Sequence, residues 1–501
     1  MIGCILSNKT LFAVLWALLL SVSAAGKSYV FPTNPAYDTL KKNGRTRNKE
    51  VLDSTRNYIT INRIFVLGNK RTRENIILRE LTLKSGDSIS NNEIQKVIEK
   101  DQNKLFNLHL FNSAEIRLLE LQPGLADVLV EVNERWYTFP VPIFQLSDRN
   151  FNEWWENYNH DFKRVNYGLK LYQYNMRGRN ETLTFTAQFG YVKKFELLYR
   201  IPYIDKRQKQ GIVFQTDFID AKNVSYRTED HKLIFLETDN VLRNTRGIGL
   251  TYTYRNSFYN HHRLGYQFRK TTITDSLYQR NPNYLGLENR AQQFDLLSYE
   301  FISDHRDVIA YPLKGYHFLF HLQKVGFAMS NDLEKLDAWL SYARYIDLKK
   351  NFFLSNFTFA YWSNKTAIPY FNYGVMGYNK IFVRGYELNV IEGPWYFLNK
   401  TTLKKRIFSR IFSFDGTRFK QFKYIPFSIY LKTYGDFGYI ENYPAYLESI
   451  PPQNTILANR FIAGTGVGLD FVASYDAVLR IEYTLNSKGN TGFFFHIKKE
   501  F

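Results

Sequence analysis

Side chains able to do covalent or metal chemistry are few in this chain and badly placed for it. Nine histidines are scattered over 501 residues. None has metal-ligand spacing, and the neighbours His261 and His262 would face opposite ways on a strand. No Gly-x-Ser-x-Gly and no phosphate-cradling glycine loop occurs. Cys4 is the only cysteine, so the chain beyond it has no disulfide, thiolate-zinc or cysteine-nucleophile chemistry. The sequence therefore predicts no catalytic residues, no metal, no cofactor and no enzyme. Ion-pair chemistry is what remains. Arg384 lies in Phe382-Val383-Arg384-Gly385-Tyr386, inside a segment at about 364–394 that is too long for a plain connection. If buried, its guanidinium needs carboxylates to offset desolvation, and its planar fork can hold one bidentately.

The elements that must position these residues are mostly strands. From Tyr137 onward the period is two: Leu183, Phe185, Ala187, Phe189 and Tyr191 alternate with Thr184, Thr186, Gln188 and Gly190. Turn signals such as Arg177-Gly178-Arg179-Asn180 recur between such runs. The last eleven residues, TGFFFHIKKEF, put Phe493, Phe495, Ile497 and Phe501 on one parity. In water that face would be an aggregation-prone edge; facing lipid from a closed barrel, it is what the solvent requires. Mean hydropathy is −0.36 and 17% of residues are aromatic, with 37 Tyr and 42 Phe. A membrane protein with such values crosses as a barrel, with aromatic girdles at the interfaces. At sixteen strands, the ~365 residues after position 134 allow roughly 23 per strand and turn, ample for membrane strands of ~10 residues.

The N-terminal third reads differently. Lys9, the apolar run Leu11 to Leu20 and small residues up to Ala25 have the layout of a secretory signal, expected over 1–25. Residues 26–57 are polar and basic and read as a flexible leader. Residues 58–134 read as a compact β-α-α-β-β unit. In it Thr72 caps a first helix, a Ser90/Glu93 capping box opens a second, and Pro123-Gly124 turns between the last two strands. The net charge of +19 is spread along strands and turns rather than gathered in a run. It therefore suits anionic lipid or acidic polypeptide segments and not nucleic acid.

Several motifs resemble those of one family. The β-α-α-β-β order, Ile64-Phe65-Val66-Leu67-Gly68-Asn69 and Leu110-Phe111 resemble a POTRA domain, the periplasmic module of outer-membrane assembly proteins. Asp304-His305-Arg306-Asp307 with Pro312 and Gly315 resembles an element of the bacterial surface antigen barrel. Val383-Arg384-Gly385-Tyr386 resembles the tip of the long loop that, in the BamA/TamA-like outer-membrane protein assembly superfamily, folds back into the lumen. The stretch Lys432 to Tyr439, with Asp436 and Gly438, resembles that family's Asp-x-Gly strand. Gly464-Thr465-Gly466-Val467-Gly468-Leu469-Asp470 resembles the strand after it.

The resemblance implies a sixteen-stranded antiparallel transmembrane β-barrel, 135–501, preceded by one small α+β POTRA domain. It implies Asp436 as partner of Arg384, with Asp470 and Glu482 behind it, and glycines at 464, 466 and 468 that make room for the loop tip. Phe501 resembles the terminal export signal of such barrels. The implied role is an outer-membrane assembly or insertion factor whose POTRA domain faces the periplasm. Its partners would be unfolded outer-membrane or secreted client chains, outer-membrane lipid and accessory assembly proteins. A dedicated secretion translocator gated by the Arg384 loop, or a passive channel, are the alternatives. A single POTRA domain departs from the several that principal assembly factors carry.

Overall fold

A computed structural model describes residues 58–108, 110–146, 154–155, 159–286, 288–309, 311–327, 332–378, 381–413, 424–473 and 478–497. The expected signal peptide, the leader and Phe501 lie outside these residues.

The small domain comprises β1 (Tyr58–Leu67), α1 (Glu74–Leu78), β2 (Ser88–Ser90), α2 (Asn91–Asn107), β3 (Phe111–Gln122) and β4 (Leu125–Glu134). Its sheet runs β2-β1-β4-β3, with β1 parallel to β4 and β3 antiparallel to it. Ile94, Ile98 and Leu105 of α2 recur at helical spacing and pack on Ile61, Ile76, Ile77, Val128 and Val130. Burying such a stripe is what stabilises a short amphipathic helix.

Three details differ from the sequence reading. A three-residue strand, β2, precedes α2, too short to leave a periodic signal. Ser90 does cap α2, but its Oγ accepts from the Asn92 amide at 3.4 Å, one residue earlier than the expected box. Thr72 does not cap α1, whose N-cap is Arg73. Its hydroxyl is buried between the Tyr137 hydroxyl at 3.0 Å and the Asn175 amide at 2.9 Å.

The remaining strands are β5 (Thr138–Leu146), β6 (Val165–Met176), β7 (Glu181–Gly190), β8 (Val192–Ile201), β9 (Gln210–Ala221), β10 (Asn223–Glu229), β11 (Lys232–Glu237) and β12 (Arg243–Arg255). They continue as β13 (Asn260–Ile273), β14 (Ala291–Asp304), β15 (Gly315–Val325), β16 (Lys335–Lys349), β17 (Phe352–Ser363), β18 (Val375–Met376), β19 (Ile391–Glu392) and β20 (Trp395–Ser413). The last are β21 (Tyr424–Ile440), β22 (Phe461–Ala473), β23 (Val478–Asn486) and β24 (Thr491–Ile497).

Sixteen of these, all but β10, β11, β18 and β19, form one sheet in sequence order with β5 and β24 at its ends. Each pairs antiparallel with the next along the chain. Ile248, Leu250 and Tyr252 of β12 point outward with Leu264 and Tyr266 of β13, whereas Thr245 and Thr271 face inward and are buried. This is an apolar-out, polar-in barrel. Among the described residues no helix is long and apolar enough to cross a membrane, and β5 and β24 share no ladder.

The small domain docks on barrel turns at one end. Arg255, at the end of β12, holds both oxygens of Glu80 at 2.7 Å. Arg79 contacts Glu80, and its guanidinium sits 3.7 Å from the centre of the Tyr203 ring. The Arg73 amide donates to Gly178 O at 3.0 Å. Glu80 is buried with two arginines on it, and Arg79 keeps Gln208 O and Tyr203 while Arg255 loses both of its carboxylate bonds, so Glu80→Gln is expected to weaken docking by about 3 kcal/mol. Hydrogen exchange at the Arg73 amide should accelerate about a hundredfold; unchanged exchange would place the docking energy elsewhere.

At the other end the loops interlock. The β10–β11 hairpin meets the long loop 364–394 and the β21–β22 connection, which carries α4 (Pro444–Leu447), α3 (Asp275–Arg280) lying between β13 and β14. The Thr228 hydroxyl donates to Glu392 at 2.9 Å, and the Tyr446 hydroxyl donates to its other oxygen. The Val390 amide donates to His231 O at 2.7 Å, and the Leu457 amide to His231 Nε2 at 2.9 Å. Burial pushes the Glu392 carboxyl up to about 7, against the pull of those two hydroxyls. Burial, with Lys488 nearby, holds the His231 imidazole down at about 4.

The signs oppose. A raised carboxyl contributes stability that is fully present below its unfolded value of 4.5 and lost as pH climbs to about 7. A depressed imidazole contributes stability present above 6.5 and lost as pH falls toward 4. Each 2.5-unit shift corresponds to about 3 kcal/mol, so the two nearly cancel between pH 4.5 and 6.5. Glu392→Gln is expected to expose the histidine's effect, with loop opening by hydrogen exchange increasing on acidification. His231→Asn should expose the opposite slope.

Candidate functional site

The long loop between β17 and β20 does not stay at the rim. It makes a short helical turn, Tyr370–Asn372, and the small β18–β19 ladder. Its tip then lies on the inner wall formed by β20 to β24. The Arg384 Nε donates to Asp436 Oδ2 at 2.7 Å and Nη2 donates to Oδ1 at 2.5 Å, a bidentate pair. The Arg384 backbone amide also donates to Asp436, at 3.2 Å. Nη2 donates to the Thr402 hydroxyl at 3.0 Å, and the guanidinium carbon lies 3.7 Å from the centre of the Tyr434 ring. Glu482 lies 3.5 Å from Nη1. Every face of the buried cation is therefore occupied, as burial in a low-dielectric site requires.

The backbone explains the residues around it. Gly385 has φ +92, and a Cβ there would meet Thr484 Cγ2 at 2.9 Å and Asn486 Cβ at 3.0 Å, so only glycine turns the tip at this spot. Its carbonyl accepts from Asn486 Nδ2 at 2.9 Å and its amide donates to Glu387 Oε2 at 2.7 Å. Val383 packs over Gly438, where a Cβ would lie 3.0 Å from Val383 Cγ2. The Tyr386 hydroxyl reaches Ser487 Oγ at 2.8 Å.

The three glycines of β22 do not share one task. A Cβ at Gly464 would stand 1.8 Å from Arg384 O, so this glycine does make room for the tip. At Gly466 the Cβ would meet Tyr483 O and the Tyr434 hydroxyl; at Gly468 it would meet Ile481 O, Glu482 Cγ and Lys432 Cε. Those two make room for wall side chains instead, because only one position of the strand lies under the tip.

Asp470 is not a partner of Arg384 in this arrangement. Lys432 Nζ lies 2.5 Å from it, and the Tyr311 hydroxyl donates to it at 2.8 Å. Lys432 also reaches Glu482 at 2.7 Å. The result is a continuous polar chain, Tyr311, Asp470, Lys432, Glu482, Arg384 and Asp436. Asp304, Arg306 and Asp307 stay apart from the tip. Arg306 holds Asp304 bidentately at 2.8 and 2.6 Å. Asp307 Oδ1 accepts the amides of Val308, Leu313 and Lys314 at 2.8 to 3.1 Å. This motif folds the β14–β15 turn, and the turn delivers Tyr311 to Asp470.

Lys432, Tyr311, Tyr434, Thr402, Glu387 and His496 escaped the sequence reading. For Lys432, Tyr434, Thr402 and His496 the only signal is an inward strand parity, which needs the register to interpret, and Tyr311 and Glu387 lie in a turn and in the loop tip, which no periodicity marks. Phe382 stacks on His496 with ring centres 5.7 Å apart, so the tip touches the last strand as well. Glu387, Glu482 and His496 bring one donor atom each within 4.8 Å of one another. Lys432 and Arg384 already engage Glu482, which makes the cluster part of the ion-pair network rather than a preformed metal cradle.

Comparison with known proteins adds the following. Residues 59–135 match the POTRA family model, described as a surface antigen variable number repeat. No curated protein matches the chain. Among solved structures, BamA from Haemophilus ducreyi lacking POTRA domains 1–3 has a similar fold: TM-score 0.52, 14% identity, 99% of this chain and 93% of that one covered. CdiB from Escherichia coli aligns with TM-score 0.51 and 12% identity over 88% of this chain and 74% of that one. The Omp85 superfamily domain matches residues 175–501. That span covers well over half the chain and includes the loop tip and the whole wall that receives it, and the chain belongs to the Omp85 superfamily of outer-membrane β-barrels.

Proposed function

We propose that this protein assembles other barrel proteins into the outer membrane, receiving client chains at its POTRA domain and releasing them sideways through its wall. One observation carries the reading. The lumen is occupied by the Arg384 tip and overlain by interlocked loops at one end, whereas β5 and β24, the two ends of the sheet, share no ladder among the described residues. A client therefore finds less resistance at the seam than along the axis. β3 is the free long edge of the small sheet, since β1 lies between β2 and β4. An extended chain can add there by β-augmentation. In this reading the POTRA domain faces the periplasm, the partners are unfolded barrel polypeptides, lipid and accessory assembly proteins, and no catalysis is involved.

Depleting the protein from its host and quantifying the purified outer membrane tests this. Barrel proteins, many or a dedicated few, should fall while their unfolded precursors accumulate. An intact barrel inventory with loss of one secreted soluble protein would overturn assembly and favour a translocator gated by the Arg384 loop.

A further inference from the structure

The outer face of the barrel is not uniform around its rim at the loop end. On β17 and β20, Trp362 lies directly opposite Trp395. Trp395 stacks on Tyr439 of β21 with ring centres 5.0 Å apart, and Tyr439 meets Phe461 of β22 at 5.3 Å. Trp362, Trp395 and Phe461 are exposed, as in the aromatic belt of a bilayer interface. At the loop end of β8, β12 and β13 the outward residues are cations instead: Lys193, Arg246 and Lys270. Their direction follows from strand parity. Arg246 continues the outward row of Ile248, Leu250 and Tyr252, and Lys270 that of Leu264 and Tyr266. Lys193 stands two residues from Phe195, which pairs with the outward Phe218 of β9.

These cations are poorly compensated. Lys270 lies directly opposite Arg246 in the β12–β13 ladder, and like charges so placed repel. Arg246 Nη1 donates to Asp220 Oδ1 of β9 at 2.7 Å. Asp220 is also the residue opposite Lys193, so one carboxylate stands among three cations. Lys270 meets no carboxylate among the described residues. Asp295 of the adjoining strand accepts the Phe327 amide at 2.8 Å and the Tyr266 hydroxyl at 3.3 Å. Asp332 accepts the Gln293 amide at 2.8 Å. Toward the middle of the same strands the wall is apolar, with Phe218, Ile248, Leu250 and Leu264 all exposed.

We infer that this patch binds the phosphate groups of a membrane lipid whose acyl chains lie along the apolar rows beneath it. A phosphate between Arg246 and Lys270 replaces their repulsion with charge-assisted hydrogen bonds to both. Lys193 stands three strand spacings from Lys270, about 14 Å, which a second phosphate on the same head can span. The occupant is therefore an acylated lipid with two phosphates on its head. A free phosphate has nothing to lay on Phe218 and Ile248, and a singly phosphorylated lipid leaves one end of the patch unmet. The proposed orientation, with the POTRA domain in the periplasm, makes this the outer leaflet. The site itself depends neither on that orientation nor on the assembly role.

Titrating the purified full-length protein in detergent micelles with diphosphoryl lipid A, followed by native mass spectrometry, tests this. Lys193→Gln with Lys270→Gln should weaken binding about thirtyfold and Lys270→Gln alone about fivefold, with the heat-modifiable gel mobility of the parent retained. Lys405 is the control. It shares the outward parity of Leu403 and pairs with Phe352 at the other end of the β17–β20 ladder, so Lys405→Gln removes the same charge and should leave binding unchanged. Asp220→Asn should tighten binding about fivefold, a gain that damage to the fold does not produce. Equal binding by all variants, or an equal loss in Lys405→Gln and Lys270→Gln, would overturn the site. Monophosphoryl lipid A should bind about fivefold more weakly; equal affinity would overturn the second phosphate contact. Excess inorganic phosphate should not displace the lipid, and displacement would overturn a lipid as the occupant. Barrel loss on depletion stands or falls independently of these results.

Discussion

Arg384→Ala is expected to free the loop tip while leaving the barrel folded. The substitution strands Asp436, which is 3% exposed, on a wall shaped for a guanidinium. Removing one partner of a buried pair typically costs 3–5 kcal/mol. The lower end applies here, about 3 kcal/mol, because Lys400 lies directly opposite Asp436 in the β20–β21 ladder and recovers part of the loss. That shifts the balance of docked and undocked tips by roughly a hundredfold. Limited proteolysis should then cut within 364–394, while the folded barrel keeps its heat-modifiable gel mobility and, on the proposed role, assembly falls. A protected loop with undiminished assembly would show that the tip is not the element that holds the lumen closed.

Gly464→Ala should produce the same phenotype without touching a charge. Its Cβ would stand 1.8 Å from Arg384 O, a backbone atom of the tip, so the tip must leave its seat on β22. Gly435→Ala is the control, since a Cβ there meets nothing within 4 Å although it neighbours Asp436. The two substitutions change strand propensity alike, so any difference reports seating of the tip. Combined with Arg384→Ala, Gly464→Ala should add little, because both remove one docking event. Equal protease protection in the two glycine variants would mean that the tip does not rest on β22.

Much of this was legible before the structure, and for identifiable reasons. The barrel shows in period-two alternation because lipid outside and water inside force opposite chemistry on the two faces. Arg384 and Asp436 stand out because each lies in a short distinctive run. Lys432 and Tyr311 did not stand out: Lys432 looks like any inward residue until the register sets it between Asp470 and Glu482, and Tyr311 sits in the β14–β15 turn, which no periodicity marks. Thr72 shows the converse failure. A threonine before a helix is a reasonable cap, but here Tyr137 and Asn175, distant in sequence, compete for its hydroxyl and win. The glycines of β22 look alike in the sequence, and only the strand's position under the tip separates Gly464 from the other two.

The order of the chain also imposes an order in time. The tip at 383–386 precedes every strand it rests on. Its contacts with Asp436 span 52 residues, with Glu482 98, and with Ser487 101. Contacts of such separation form late, because the intervening chain must first be arranged. Arg384 can meet Thr402 and Asp436 once β20 and β21 are paired, but its contact with Glu482 and that of Tyr386 with Ser487 wait for β23. Full seating of the tip is thus completed only with the last part of the wall, and the chain reports the arrival of β23 through Glu482 and Ser487.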